Sequence, residues 1–68
     1  MKYFVARKSK ATGRIEYKRT KCTDEWCSPS YTGHIWQFTK RGAAGIVERE
    51  KRFRGWGWEY YIVPCFDK

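Results

Sequence analysis

The sequence predicts an α+β fold in which one helix packs across an antiparallel sheet of three or four strands, in the order strand, strand, loop, helix, strand. Three observations carry that prediction. Segments near both ends alternate their side chains with a period of two, as strands do. A central segment repeats its apolar residues at helical spacing instead. The chain has 68 residues, so one domain spanning 1–68 is expected and its core must be thin. The 4 Trp, 5 Tyr and 4 Phe supply large apolar surfaces for so small an interior.

The first strand is predicted from Lys2 to Lys8, with Tyr3, Val5 and Arg7 on one face and Phe4 and Ala6 on the other. Ser9 to Gly13 makes a turn of hairpin length, in which Gly13 can take a positive φ. The second strand runs from about Arg14 to Arg19, where Ile15 and Tyr17 alternate with Arg14, Glu16 and Lys18. Thr20 to Gly33, rich in Cys, Ser, Thr and Pro, reads as a loop. His34 to Phe38 is either a short strand or the lead into a helix.

Thr39 has the hydroxyl of an N-cap, and Phe38 before it can staple onto Ala43. The helix is expected from Lys40 to about Phe53, with Ala43, Ile46, Val47 and Glu50 on one side and Phe53 extending the buried stripe. Gly42 and Gly45 each lower its stability by about 1 kcal/mol relative to Ala. Close packing or the close approach of a partner would each account for Gly45. Arg54-Gly55-Trp56-Gly57 stops the helix, and Trp58 to Phe66 forms a last strand. That strand is apolar on both faces, which implies a central position or a covered face. Pro64 has no N–H, so pairing should fail near it on at least one side.

Charge decides which partners are expected. Fifteen Lys and Arg against 7 Asp and Glu give a formal +8, an excess that draws polyanions and adds a salt-sensitive attraction to phosphate. Nucleic acid, DNA or RNA, leads as a partner, followed by an acidic protein surface; a membrane and a small-molecule substrate are not expected. Solubility alone is the competing explanation of the charge.

The cations fall into three sets. Arg7, Lys8, Lys10, Arg14, Lys18, Arg19 and Lys21 lie on the hairpin, where a basic ribbon can enter a groove or follow a backbone. Lysines on an edge hairpin also discourage aggregation. Arg41, Arg49 and Arg52 share a helix side with Gly45, flanked by Lys40 and Lys51. Finally, Arg54 and Trp56 sit in the aromatic turn Phe53-Arg54-Gly55-Trp56-Gly57-Trp58, a composition suited to base stacking or to a protein hot spot. Trp58 is assigned to the core and Trp56 to the surface.

Catalysis is not expected. No nucleophile elbow, P-loop or paired-carboxylate motif is present, and a Cys–His thiol hydrolase would have no identifiable orienting residue. Cys22, Cys27, Cys65 and His34 are the soft metal ligands available; Cys65 has no ligand pair beside it, so neither metal nor cofactor is expected. An odd number of cysteines points to a reducing compartment, and MKYFVARK reads as neither signal peptide nor anchor. A cytoplasmic protein is therefore expected.

The stretches FVARKSKATGRIEYKR, IWQFTKRGAAGIVEREKR and WEYYIVPCF resemble, in style and element order, the small orphan proteins encoded by bacteriophages and prophages. The resemblance implies a compact early protein of the host bacterial cytoplasm that binds nucleic acid, or that inhibits a host enzyme or defence complex through an acidic host-protein surface. The basic hairpin and helix also resemble the sheet-and-helix DNA-binding domains of phage integrases. The Cys-containing loop and the extra C-terminal strand depart from that pattern, so no integrase contact residue carries over.

Overall fold

Alternation through the N-terminal segment produces the central strand of the sheet. A computed structural model describes residues 1–65, so Phe66, where the last strand was expected to end, lies outside the described residues. β1 (Lys2–Ser9) pairs antiparallel with β2 (Ile15–Lys18) on one side and with β4 (Trp58–Cys65) on the other. The turn closes as expected: Gly13 adopts a φ of 75°, and its N–H donates to the Ser9 carbonyl at 2.8 Å. With a short β3 (Trp26–Cys27) the sheet order is β3-β2-β1-β4, and among the described residues one helix, α1 (Lys40–Arg54), packs against β1 and β4.

The first of the following details departs from the sequence reading, and the other two decide between alternatives that it left open. The stretch from Thr20 to Gly33 is not all loop, because Trp26–Cys27 forms a short strand, β3, paired with Tyr17 and Lys18 of β2. Two residues are too few to show an alternation. His34 to Phe38 leads into the helix; Phe38 exchanges hydrogen bonds of 2.8 and 2.7 Å with Tyr3, and the Trp36 N–H donates to the Arg19 carbonyl at 3.1 Å. β4 is an edge strand and not a central one. Its two apolar faces have separate uses: Tyr60 and Ile62 meet the core, whereas Tyr61 and Val63 share the opposite face with Phe4 and Tyr17 through the β1 register.

The core forms where Val5 and Tyr60 of the sheet meet Ala43 and Val47 of the helix and Phe38 before it. Thr39 caps the helix, its hydroxyl accepting from the Gly42 N–H at 3.1 Å. Phe53 does not extend the buried stripe; it is 72% exposed, and Glu50 is the last buried residue of α1. Among the described residues no helix lies on the opposite face of the sheet. There Ala6, fully buried, sits between its cross-strand neighbours Tyr17 and Tyr61, and Phe4 stacks on Tyr17 with ring centroids 5.3 Å apart.

Candidate functional site

The hairpin cations are largely committed to the protein itself. Arg7 is the clearest case: its guanidinium lies 4.2 Å from the Trp26 ring and 3.9 Å from that of Trp58. Its Nε and Nη2 both donate to Glu16 Oε1, at 2.9 and 2.7 Å. Both side chains are less than one-fifth exposed, so Arg7 is a structural cation and not a surface contact. Lys18 is a second correction. Only 2% exposed, it donates to the Thr23 carbonyl at 2.6 Å, and burial lowers its pKa despite the opposing pull of Glu50.

Arg19 pairs with Glu25 and also donates to the Tyr31 hydroxyl at 3.3 Å, while Arg14 lies 4.0 Å from Glu16. Hydrogen bonds from the Thr23 hydroxyl and from Arg19 hold the Glu25 carboxyl below its usual range. Arg54 pairs with Asp24 and lies 4.0 Å from Glu50. Glu16 thus answers Arg7 of β1 and Arg14 of the turn, Glu25 answers Arg19 after β2, and Asp24 and Glu50 answer Arg54 at the end of α1. Lys8 and Lys10 remain exposed on the hairpin.

The helix differs in this respect. Lys40, Arg41, Arg49, Lys51 and Arg52 are all exposed, and no carboxylate lies within 4 Å of any of them among the described residues. At 100° per residue, Arg41, Gly45, Arg49 and Arg52 point away from Ala43, Val47 and Glu50, which face the sheet. Arg41 and Arg52 are separated by about 16 Å along the axis at 1.5 Å per residue. A Cβ built on Gly45 would meet nothing within 4 Å, which removes close packing as the reason for that glycine. Glu48 is the exposed carboxylate of this helix, and it too forms no ion pair within 4 Å among the described residues.

At the C-terminal end of α1 three segments that are distant in sequence converge. The Lys10 N–H donates to the Gly57 carbonyl at 2.8 Å, and its ammonium lies 3.5 Å from the Gly55 carbonyl. A hollow of about 260 Å³ opens there, lined by Lys10, Lys51, Arg52, Gly55, Trp56 and Gly57. Trp56 is 93% exposed, whereas Trp58 is half-buried against the core and Arg7. Glu59 borders the adjoining hollow with Lys10 and Lys51. The structure therefore brings together Lys10 of the hairpin set, Arg52 of the helix set and Trp56 of the turn. Sequence spacing gives no sign that the hairpin turn and the helix end are neighbours.

Cys22 is exposed, Cys27 half-buried and Cys65 buried, and burial pushes the Cys27 thiol up, away from the thiolate form that reacts or binds metal. His34 is exposed and meets Trp36 edge-on at 6.0 Å. Among the described residues no three His, Cys, Asp or Glu side chains are grouped to hold a metal ion, and no helix is long and apolar enough to cross a membrane. No family model, curated protein or solved structure matches the chain.

Proposed function

We propose that this chain is a small, basic, non-catalytic binding protein of the cytoplasm, and that its partner is nucleic acid. The exposed side of α1 makes the contact, with Arg41, Arg49 and Arg52 at its centre, Lys40 and Lys51 beside them, and Lys10, Arg52 and Trp56 at its C-terminal end. One observation carries the reading: the carboxylates that meet a cation are used on Arg7, Arg14, Arg19 and Arg54, whereas Arg41, Arg49 and Arg52 share one exposed helix side and meet no carboxylate within 4 Å among the described residues. Solubility would be served equally well by scattered charge, whereas an extended polyanion is served best by a cationic line. Arginine forks engage phosphate oxygens two at a time, and the bare backbone at Gly45 lets a phosphate chain approach the helix. The proposal is tested by titrating a labelled oligonucleotide of mixed sequence with the full chain at low salt. Saturable binding that weakens when Arg41, Arg49 and Arg52 are changed to Gln is expected; a flat titration removes the proposal.

A second reading is a phage-type effector that occupies an acidic surface of a host protein or defence complex. It is favoured by the aromatic sheet face that α1 leaves uncovered, with Phe4, Tyr17 and Tyr61. A stoichiometric protein complex that survives nuclease treatment, from a chain that ignores oligonucleotides, would replace the first reading with this one.

A further inference from the structure

We infer that the hollow between the hairpin turn, the last helical turn and the Trp56 turn is a subsite for one unpaired nucleotide, with its base stacked on Trp56 and its phosphate held by Lys10, Lys51 and Arg52. The inference rests on the nucleic-acid reading and narrows it to a single strand or a chain end, as opposed to uninterrupted duplex. Four features lead to it.

First, a tryptophan that is 93% exposed contributes almost nothing to the core, so its large flat surface is free for a partner. Second, the turn that carries Trp56 depends on its two glycines. Gly57 has a φ of 74°, and a Cβ on Gly55 would come within 2.6 Å of the Lys51 carbonyl oxygen. Trp56 is thus held out on a fixed turn, anchored to the hairpin by the bond from the Lys10 N–H to the Gly57 carbonyl.

Third, the lining contains Lys10, Lys51 and Arg52 but no carboxylate. The negative end of the helix dipole lies nearby and Lys10 approaches the Gly55 carbonyl, which gives these cations a local use in stabilising the helix. That end amounts to about half an elementary charge. Glu59 in the adjoining hollow adds one more negative charge beside Lys10 and Lys51, so three positive side chains still leave the hollow cationic. Fourth, about 260 Å³ falls just short of the roughly 300–1,000 Å³ typical of pockets for drug-sized ligands, and matches one base with its phosphate better than a larger molecule. A base inside duplex has both faces covered by its neighbours and cannot reach Trp56, whereas every unpaired base offers a face.

The test compares a short oligothymidylate with a long duplex, each titrated into the full chain and into Trp56→Ala at the same low salt, with polyglutamate as a protein-like polyanion. Trp56→Ala should weaken oligothymidylate about 5- to 150-fold, the range for one lost stacked base, and leave duplex and polyglutamate unchanged. Trp56→Phe should restore part of the loss, and Lys10→Gln with Lys51→Gln should weaken oligothymidylate again. Trp56→Ala that leaves oligothymidylate unchanged, or that weakens duplex equally, overturns the subsite while the broader reading stands. Equal weakening of polyglutamate assigns the hollow to an acidic protein chain and also overturns it. If neither nucleic acid binds the unmodified chain, the broader reading fails and takes this inference with it.

Discussion

Arg7 shows how one side chain can look like a surface contact and prove to be structural. Alternation places it on the face shared by Val5, but it does not reveal that Trp26 and Trp58 lie on either side of it or that Glu16 takes its charge. Because the pair is largely removed from water, deleting one member leaves the other poorly compensated and collapses the tryptophan sandwich. Arg7→Ala should therefore cost about 2–4 kcal/mol in urea unfolding, and Arg7→Lys should recover little, because an ammonium neither stacks as a plane nor forks. A loss under about 0.5 kcal/mol, the usual range for surface substitutions, would show that the sandwich is not structural. Lys18 makes a separate prediction. Its folded pKa is lowered, mainly by burial, so between that value and 10.5 the unfolded chain binds more protons than the folded one. The charged form is therefore a cost at neutral pH, and stability due to Lys18 rises as pH climbs through the folded pKa towards 10.5. Tyr60 and Tyr61, whose phenols burial pushes above 10, act in the opposite direction as pH passes 10. Comparison with Lys18→Met isolates the lysine: the unmodified chain should gain on the variant as the pH approaches 10.5, and parallel curves would contradict the assignment.

At the scale of the element, α1 joins local signals that favour a helix to one residue that opposes it. The Thr39 hydroxyl accepts the Gly42 N–H, and Lys51, Arg52 and Arg54 in the last turn complement the dipole. Thr39→Ala should cost about 1 kcal/mol. Gly45 is the opposing residue, and since nothing surrounds its missing Cβ, Gly45→Ala should raise stability by about 0.5–1 kcal/mol. In a domain of this size that shifts Tm upward by roughly 2–8 °C. If Gly45 is there to admit a phosphate backbone, the same variant should bind oligonucleotide more weakly, a stability gain joined to a functional loss. Equal or tighter binding would leave this glycine without a functional account. The helix and both hairpin strands were legible because cap, period and turn residue agree at Thr39, Val47 and Gly13. β3 was not, because Trp26 and Cys27 owe their conformation to pairing with β2 and not to a local pattern. Phe53 continues the helical period but not the burial: it borders an open hollow with Cys22, Thr23 and Asp24 and takes no part in the core. The hollow beside Trp56 depends on two turns meeting across a fold, which spacing along the chain does not encode.

Across the whole molecule the same +8 can arise in two ways that differ in consequence. Charge spread over every surface would attract a polyanion in any orientation, and each cation removed would weaken binding by a similar increment. Here Arg14, Arg19 and Arg54 already face Glu16, Glu25 and Asp24, while Lys40, Arg41, Arg49, Lys51 and Arg52 do not face a carboxylate within 4 Å among the described residues. Counterion release turns that difference into a slope. If the five helix cations and Lys10 each neutralise one phosphate, the logarithm of affinity should fall against the logarithm of salt with a slope of about −5 for duplex and about −4 for single strand. Changing Arg41, Arg49 and Arg52 together to Gln should reduce that magnitude by about 2 to 3, whereas changing Arg14 and Arg19 to Gln should move it by less than about one. The two variants should therefore part even after allowance is made for three charges removed in one and two in the other. Slopes that fell in simple proportion to the charges removed would mean that the attraction follows net charge alone, and the helix face would have no special part in it.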